Sequence, residues 1–202
     1  MRWINCYGRL FGSVCLSIFL CFAPIVNGFA QTKYELRCNA RLLELSEKFA
    51  LSQVGIIEHG ENRNKYIDLY LSTVGLPPGN AYCAAGVYWS FASAAHKLDM
   101  DNTQVPIPRT GLANAMFDFA RQHGIRVKYS PARHDLIVYR FSRSIHGHIE
   151  RIIECGSKGW VSTIAFNTRS DDGNAEGVFI KKRNIYAPLG RMTIRGLIGF
   201  RS

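Results

Sequence analysis

The order in which hydrophobic periodicities appear constrains this chain more than any other feature. Between positions 35 and 123 the apolar residues recur at helical spacing, and between 127 and 200 they fall in short β-rich runs separated by Gly, Asn, Asp and Ser. The spacing predicts helices over 35–54, 65–74, 81–96 and 110–123, with Gly75, Pro77-Pro78 and Gly124 as stops. Strands are predicted over 127–129, 136–139, 148–153, 160–166, 178–180 and 192–200. Helices followed by a run of strands imply an α+β domain with an antiparallel sheet. No internal repeat or linker divides residues 31–202, which read as one domain.

Residues 1–30 stand apart from that pattern. They carry Arg2 and Arg9, no acid, an apolar run from Leu10 to Val26, and then Gly28-Phe29-Ala30. This is the pattern of a secretory signal peptide cleaved between Ala30 and Gln31, which leaves no membrane anchor. The alternative is an uncleaved span. A lipoprotein is disfavoured because Leu20, not a small residue, precedes Cys21. Cleavage removes Cys6, Cys15 and Cys21 and leaves Cys38, Cys83 and Cys155, an odd set for an exported chain. Cys38 and Cys155 are open to pairing in a disulfide.

Composition excludes several classes. With 47% hydrophobic and 20% charged residues the chain is not disordered, and its 18 Gly and 7 Pro lack a collagen-like period. The net charge of +10 favours anionic surroundings. For an exported protein those are peptidoglycan carboxylates or lipid head groups rather than nucleic acid. The cations are scattered (Arg63, Lys65, Arg126, Lys128, Arg133) apart from Lys181-Lys182-Arg183, so most belong to solvated surface.

Cys83 follows the Pro77-Pro78-Gly79-Asn80 turn and opens a predicted helix. There the helix dipole and unpaired N–H groups favour negative charge on sulfur and can stabilise an oxyanion. A buried structural cysteine is the competing assignment. A nucleophilic cysteine needs a base from elsewhere in the fold. Of His59, His96, His123, His134, His146 and His148, only the last two fall on or beside a predicted strand. His148 opens the strand Gly147-His148-Ile149-Glu150-Arg151. A hairpin centred between Ser157 and Lys158 sets Asn167 opposite His148, about 5 Å away at Cβ, where an orienting side chain belongs.

Tyr82-Cys83-Ala84-Ala85, Asp135-Leu136-Ile137-Val138-Tyr139, Gly147-His148-Ile149 and Asn167-Thr168 occur in an order that resembles the CHAP domain, the cysteine, histidine-dependent amidohydrolase/peptidase family. The resemblance spans about Leu42 to the C-terminus and includes Val54-Gly55-Ile56-Ile57-Glu58 and Asn62-Arg63-Asn64. It implies a papain-like, NlpC-type fold, with Cys83 as nucleophile, His148 as base and then acid, and Asn167 as the group that orients the imidazole. Three positions depart from the family. Ala165 stands where many members have Glu, Phe166 stands where Gly often follows, and His134 stands where Gly often precedes Asp135. Asp135 reads as a strand-start residue, and His146 as a bystander.

The resemblance implies a peptidoglycan hydrolase, secreted or periplasmic and monomeric, that cleaves an amide bond through a cysteine acyl-enzyme. The bond is that of an N-acetylmuramoyl-L-alanine amidase or of a peptide endopeptidase. The alternatives are a catalytically weakened wall-binding or interaction module, and an acyltransferase built on the same groups. No cofactor is expected. Cys and His never occur at zinc-like spacing, the loop with Asp99, Asp101 and Asn102 lacks the glycine and terminal Glu of a calcium loop, and Asp171-Asp172-Gly173 reads as a turn, so no metal is expected either.

Overall fold

The computed structural model describes residues 31–202, so the leader assigned to 1–30 lies outside the described residues. The chain is α+β. Strand β1 (Thr32–Arg37) is followed by helices α1 (Ala40–Leu51), α2 (Lys65–Thr73) and α3 (Cys83–Lys97), a 3-10 turn at Asn102–Gln104, and helix α4 (Ala113–His123). Strands β2 (Ile125–Val127), β3 (Leu136–Arg140), β4 (Gly147–Cys155), β5 (Trp160–Arg169), β6 (Glu176–Asn184) and β7 (Thr193–Arg201) complete it. The seven strands form one sheet in the order β2-β1-β7-β3-β4-β5-β6.

Two sequence expectations are corrected here. Residues 35–37 belong to β1, not to the first helix, because they are hydrogen-bonded into the sheet between β7 and β2. The helix starts only after Asn39, whose side chain accepts from the Arg41 and Leu42 N–H groups and caps it. The sheet is also mixed rather than antiparallel, since β1 runs parallel to β7 from Thr32–Gly196 to Arg37–Arg201. The other strand pairs are antiparallel.

Each face of the sheet covers a core. Ile149, Ile164, Phe166 and Ile198 join the large cluster beneath the helices, while Ile137, Tyr139, Ile152 and Leu197 pack on the other face with Val161 and Ile185. Strand alternation therefore sends even-numbered residues at the start of β4 to the second face and odd-numbered ones to the helices. Arg151 is the costly member of the helix side. It is 1% exposed and is held by Ser46 Oγ at 2.8 Å, the Leu43 carbonyl at 2.8 Å and His134 Nδ1 at 3.0 Å. Glu47, itself buried and accepting from Arg133 Nε at 3.1 Å, lies 4.0 Å from Arg151 Nε and joins α1 to this charged cluster.

Helix α3 is the buried centre of the helical layer. Trp89 lies edge-on to Phe49 of α1, and Tyr70 of α2 packs at 5.0 Å from Trp89 and 5.4 Å from Phe166 of β5. Gly86 permits a close approach of α3 to the sheet: a Cβ there would meet the Phe166 ring at 2.3 Å. Since Gly86 lies one turn from Cys83, this contact sets the height of the cysteine over the sheet. Gly86→Ala is expected to lower stability by about 1–3 kcal/mol through overpacking, read as a fall in the urea midpoint at unchanged slope.

Candidate functional site

Helix α2 stops at Thr73, with Gly75 in the left-handed region at φ 75°, and the chain turns through Pro77, Pro78, Gly79 and Asn80 before α3 begins at Cys83. Its N-cap residue, Tyr82, makes no side-chain cap bond, in contrast to Asn39 on α1 and Asn64 on α2. The first N–H groups of α3 are thus left by the cap to whatever occupies the helix end. The Cys83 Sγ lies 3.9 Å from the Gly147 carbonyl, at the first residue of β4. Gly147 is required there, since a Cβ would sit 2.3 Å from the Tyr139 carbonyl.

The next residue, His148, has the Cys83 side chain among the neighbours that raise its pKa. His148 Nε2 lies 3.1 Å from Glu150 Oε1, two residues along the same strand and therefore on the same face. A carboxylate cannot donate, so Nε2 carries a proton. Burial alone would push the imidazole pKa down, but the hydrogen bonds and charges of Cys83 and Glu150 outweigh it and raise it from 6.5 to about 10.

Glu150 is fully buried and fully partnered. Thr163 Oγ1 donates to Oε2 at 2.6 Å, and Arg183 Nε and Nη2 donate to Oε1 at 2.9 and 2.8 Å, with Nε also 3.0 Å from Oε2. Desolvation would raise its pKa, but His148 and Arg183 hold it at about 2. Neither Glu150, Thr163 nor Arg183 was singled out from sequence. The signal was present: in His148-Ile149-Glu150 the strand period of two puts a histidine and a carboxylate side by side.

Asn167 stands elsewhere. The expected register holds for Glu150–Ala165, Arg151–Ile164 and Ile152–Thr163, but the pairing of β4 with β5 goes no further toward His148. Asn167 is the bulged residue between Phe166 and Thr168, at φ 56°, a conformation asparagine tolerates. Its Nδ2 donates to Asn62 Oδ1 at 2.8 Å, and Asn62 donates in turn to the Gly79 carbonyl at 3.3 Å. Asn167 thus braces the turn that precedes Cys83, while the group set against His148 Nε2 is Glu150.

The remaining candidates have structural partners. His146 is exposed, and its carbonyl, like that of Ile145, accepts from Asn114 Nδ2, which pins the segment leading to His148. Asp135 is buried against Lys33 at 2.7 Å, and burial pushes its pKa up to about 6 despite that cation. Cys38 is buried, Cys155 is exposed, and neither is bridged. Among the described residues no group of three or more His, Cys, Asp or Glu side chains is arranged to hold a metal ion.

Comparison of the chain with protein-family models, with curated proteins and with solved structures finds no match.

The two shifts fix a pH signature. His148 is more basic folded than unfolded, so its contribution is complete below 6.5 and is lost as pH rises through about 10. Glu150 is more acidic folded, so its contribution is complete above 4.5 and is lost as pH falls through about 2. The stability gap between wild type and His148→Gln is therefore expected to be largest between pH 4.5 and 6.5 and to shrink toward pH 10 in urea titrations. A gap that widens with rising pH would contradict the assignment.

Proposed function

We propose that this chain is a cysteine amidohydrolase/peptidase of CHAP type on a papain-like fold, exported and acting on an amide bond of peptidoglycan. The observation that carries the reading is the grouping of Cys83, His148 and Glu150, with the thiol at a helix start beside the first residue of β4 and the imidazole set against a buried carboxylate. The resemblance noted in the sequence supports the substrate class, and the net charge of +8 left once Arg2 and Arg9 depart with residues 1–30 (23 bases against 15 acids) suits an acidic polymer.

The chemistry follows from the roles these groups can take. The Cys83 sulfur, its proton passed to His148, attacks the carbonyl carbon. The uncapped N–H groups at the start of α3 face the developing oxyanion. His148 then gives its proton to the leaving amine, the C–N bond breaks, and an acyl-enzyme remains. A water molecule, deprotonated by the now neutral imidazole, attacks the thioester and restores the thiol. Glu150 fixes the ring and stabilises the imidazolium, so the orienting role moves from Asn167 to Glu150. The family often places Glu at the position of Ala165, and Ala165 pairs across the sheet with Glu150. The carboxylate is thus supplied from the neighbouring strand at the same level of the sheet.

One observation favours the second reading, a wall-binding or interaction module without turnover. Cys83 and His148 are only 5% and 7% exposed. Turnover requires the groups around the sulfur to admit a substrate carbonyl.

Digestion of purified sacculi, followed by mass spectrometry of the released muropeptides, decides between them. New amine or carboxyl termini at one bond type identify amidase or endopeptidase; none supports the binding module. Cys83→Ser is expected to abolish release, and His148→Ala to slow it on the order of 10³-fold or more. Glu150→Gln should cost about 10- to 100-fold, and Asn167→Ala less than about 10-fold, through its bond to Asn62. His146→Ala should be near neutral. Loss in His146→Ala with activity kept in His148→Ala would move the base two residues upstream.

A further inference from the structure

We propose that Arg183 is a positioning residue of this site, gripping Glu150 from β6 so that the carboxylate stays ionised and aimed at His148. The inference rests on the reading of Cys83 and His148 as nucleophile and base. Arg183 lies on β6, two strands from His148, with β5 between. Its side chain is 15% exposed and reaches across β5 to both oxygens of a carboxylate that has no solvent exposure. A fork on both oxygens fixes the carboxylate plane, which a single hydrogen bond does not. Thr163 of β5 holds Oε2 from beneath and is itself bonded to the Lys181 carbonyl at 3.3 Å. Oε1 is the oxygen shared between Arg183 and His148, so the guanidinium meets the imidazole through one atom.

The charges facing Glu150 are few. They are His148 on its own strand, Arg183 from β6 and, from β3, the Tyr139 phenol, which burial keeps protonated. Removal of Arg183 leaves His148 as the carboxylate's lone cationic partner among these groups. A buried carboxylate so deprived takes up a proton more readily. Once protonated, it no longer stabilises the imidazolium, and His148 loses its hold on the proton that the thiol gives up. A residue that merely tied β6 to β4 would lower stability and leave this proton balance where it was.

The test is the pH profile of Cys83 alkylation by iodoacetamide in the folded protein. Modification is followed by mass spectrometry at the Cys83 peptide, and exposed Cys155 serves as an internal control. In Arg183→Gln the acid limb of the Cys83 profile is expected to move up by about one pH unit, that is, about tenfold slower labelling at a fixed pH on the limb. Arg183→Lys should move it less, and Glu150→Gln should move it in the same direction. The Glu150→Gln/Arg183→Gln double variant should move it no further than Glu150→Gln alone. The Cys155 profile should stay unchanged throughout. A lower urea midpoint with an unmoved limb in Arg183→Gln would overturn the inference and leave Arg183 a structural brace. If Arg183→Gln does not fold, Arg183→Lys decides: a smaller shift of the same sign supports the inference and an unmoved limb overturns it. A wild-type limb that His148→Ala leaves unchanged would overturn the nucleophile–base reading itself, and the inference with it.

Discussion

Glu150 has no contact with solvent, and an ionised carboxylate can be buried only where its charge and its lone pairs are both answered. Three elements supply the answer. His148 comes from its own strand, Thr163 from β5 and Arg183 from β6. Because the carboxylate lies on the sheet face away from the helices, its partners are drawn from neighbouring strands rather than from the helical layer. The imidazole is the one partner of this group that also reaches the helix side, through Cys83. The buried charge therefore dictates which strands must be adjacent, in what register, and how the histidine ring is turned.

The helical layer answers a different demand, that of bringing one sulfur to the first residues of β4. Gly86 lets α3 lie close against Phe166, and aromatic packing of Trp89 and Tyr70 fixes the helix laterally. The bulge at Asn167, held through Asn62 to Gly79, secures the turn that delivers Cys83. A second buried charge, Arg151 with Glu47 and His134, fastens α1 to the same strand one residue beyond Glu150. Two consecutive residues of β4 thus carry opposite charges into opposite sides of the sheet. The strand is anchored on both faces just beyond the histidine.

Much of this was legible in the sequence, for identifiable reasons. The buried helix that starts at Cys83 announced itself through the preceding prolines and its run of alanines and aromatics. The hairpin of β4 and β5 is expected to centre between Ser157 and Lys158. The pairs next to the turn, Glu154–Ser162 and Cys155–Val161, are one residue off that register, and a shift between Ile152 and Glu154 restores it from Ile152 to Glu150. What failed were features settled by tertiary contacts. Asn39 is a local signal for a helix start after residue 39, but nothing local makes 35–37 a strand; pairing with β7 does. Asn167 left the expected pairing because β5 bulges there, which shifts one side chain without altering the run of strand-forming residues. Glu150 was overlooked because a glutamate in a strand ordinarily faces water. Only the distant Arg183 and Thr163 make its burial possible.

His148, set against the buried Glu150 carboxylate with the Cys83 side chain nearby, keeps a proton at neutral pH. The most direct measurement is the ¹⁵N chemical shift of the two His148 ring nitrogens in the folded protein at pH 7, assigned by comparison with His148→Gln. The account predicts that both nitrogens are protonated, as an imidazolium, and remain so well above the ordinary histidine range, with the signal changing only toward about pH 10. A neutral ring at pH 7, with one protonated nitrogen and a transition near 6.5, would contradict it.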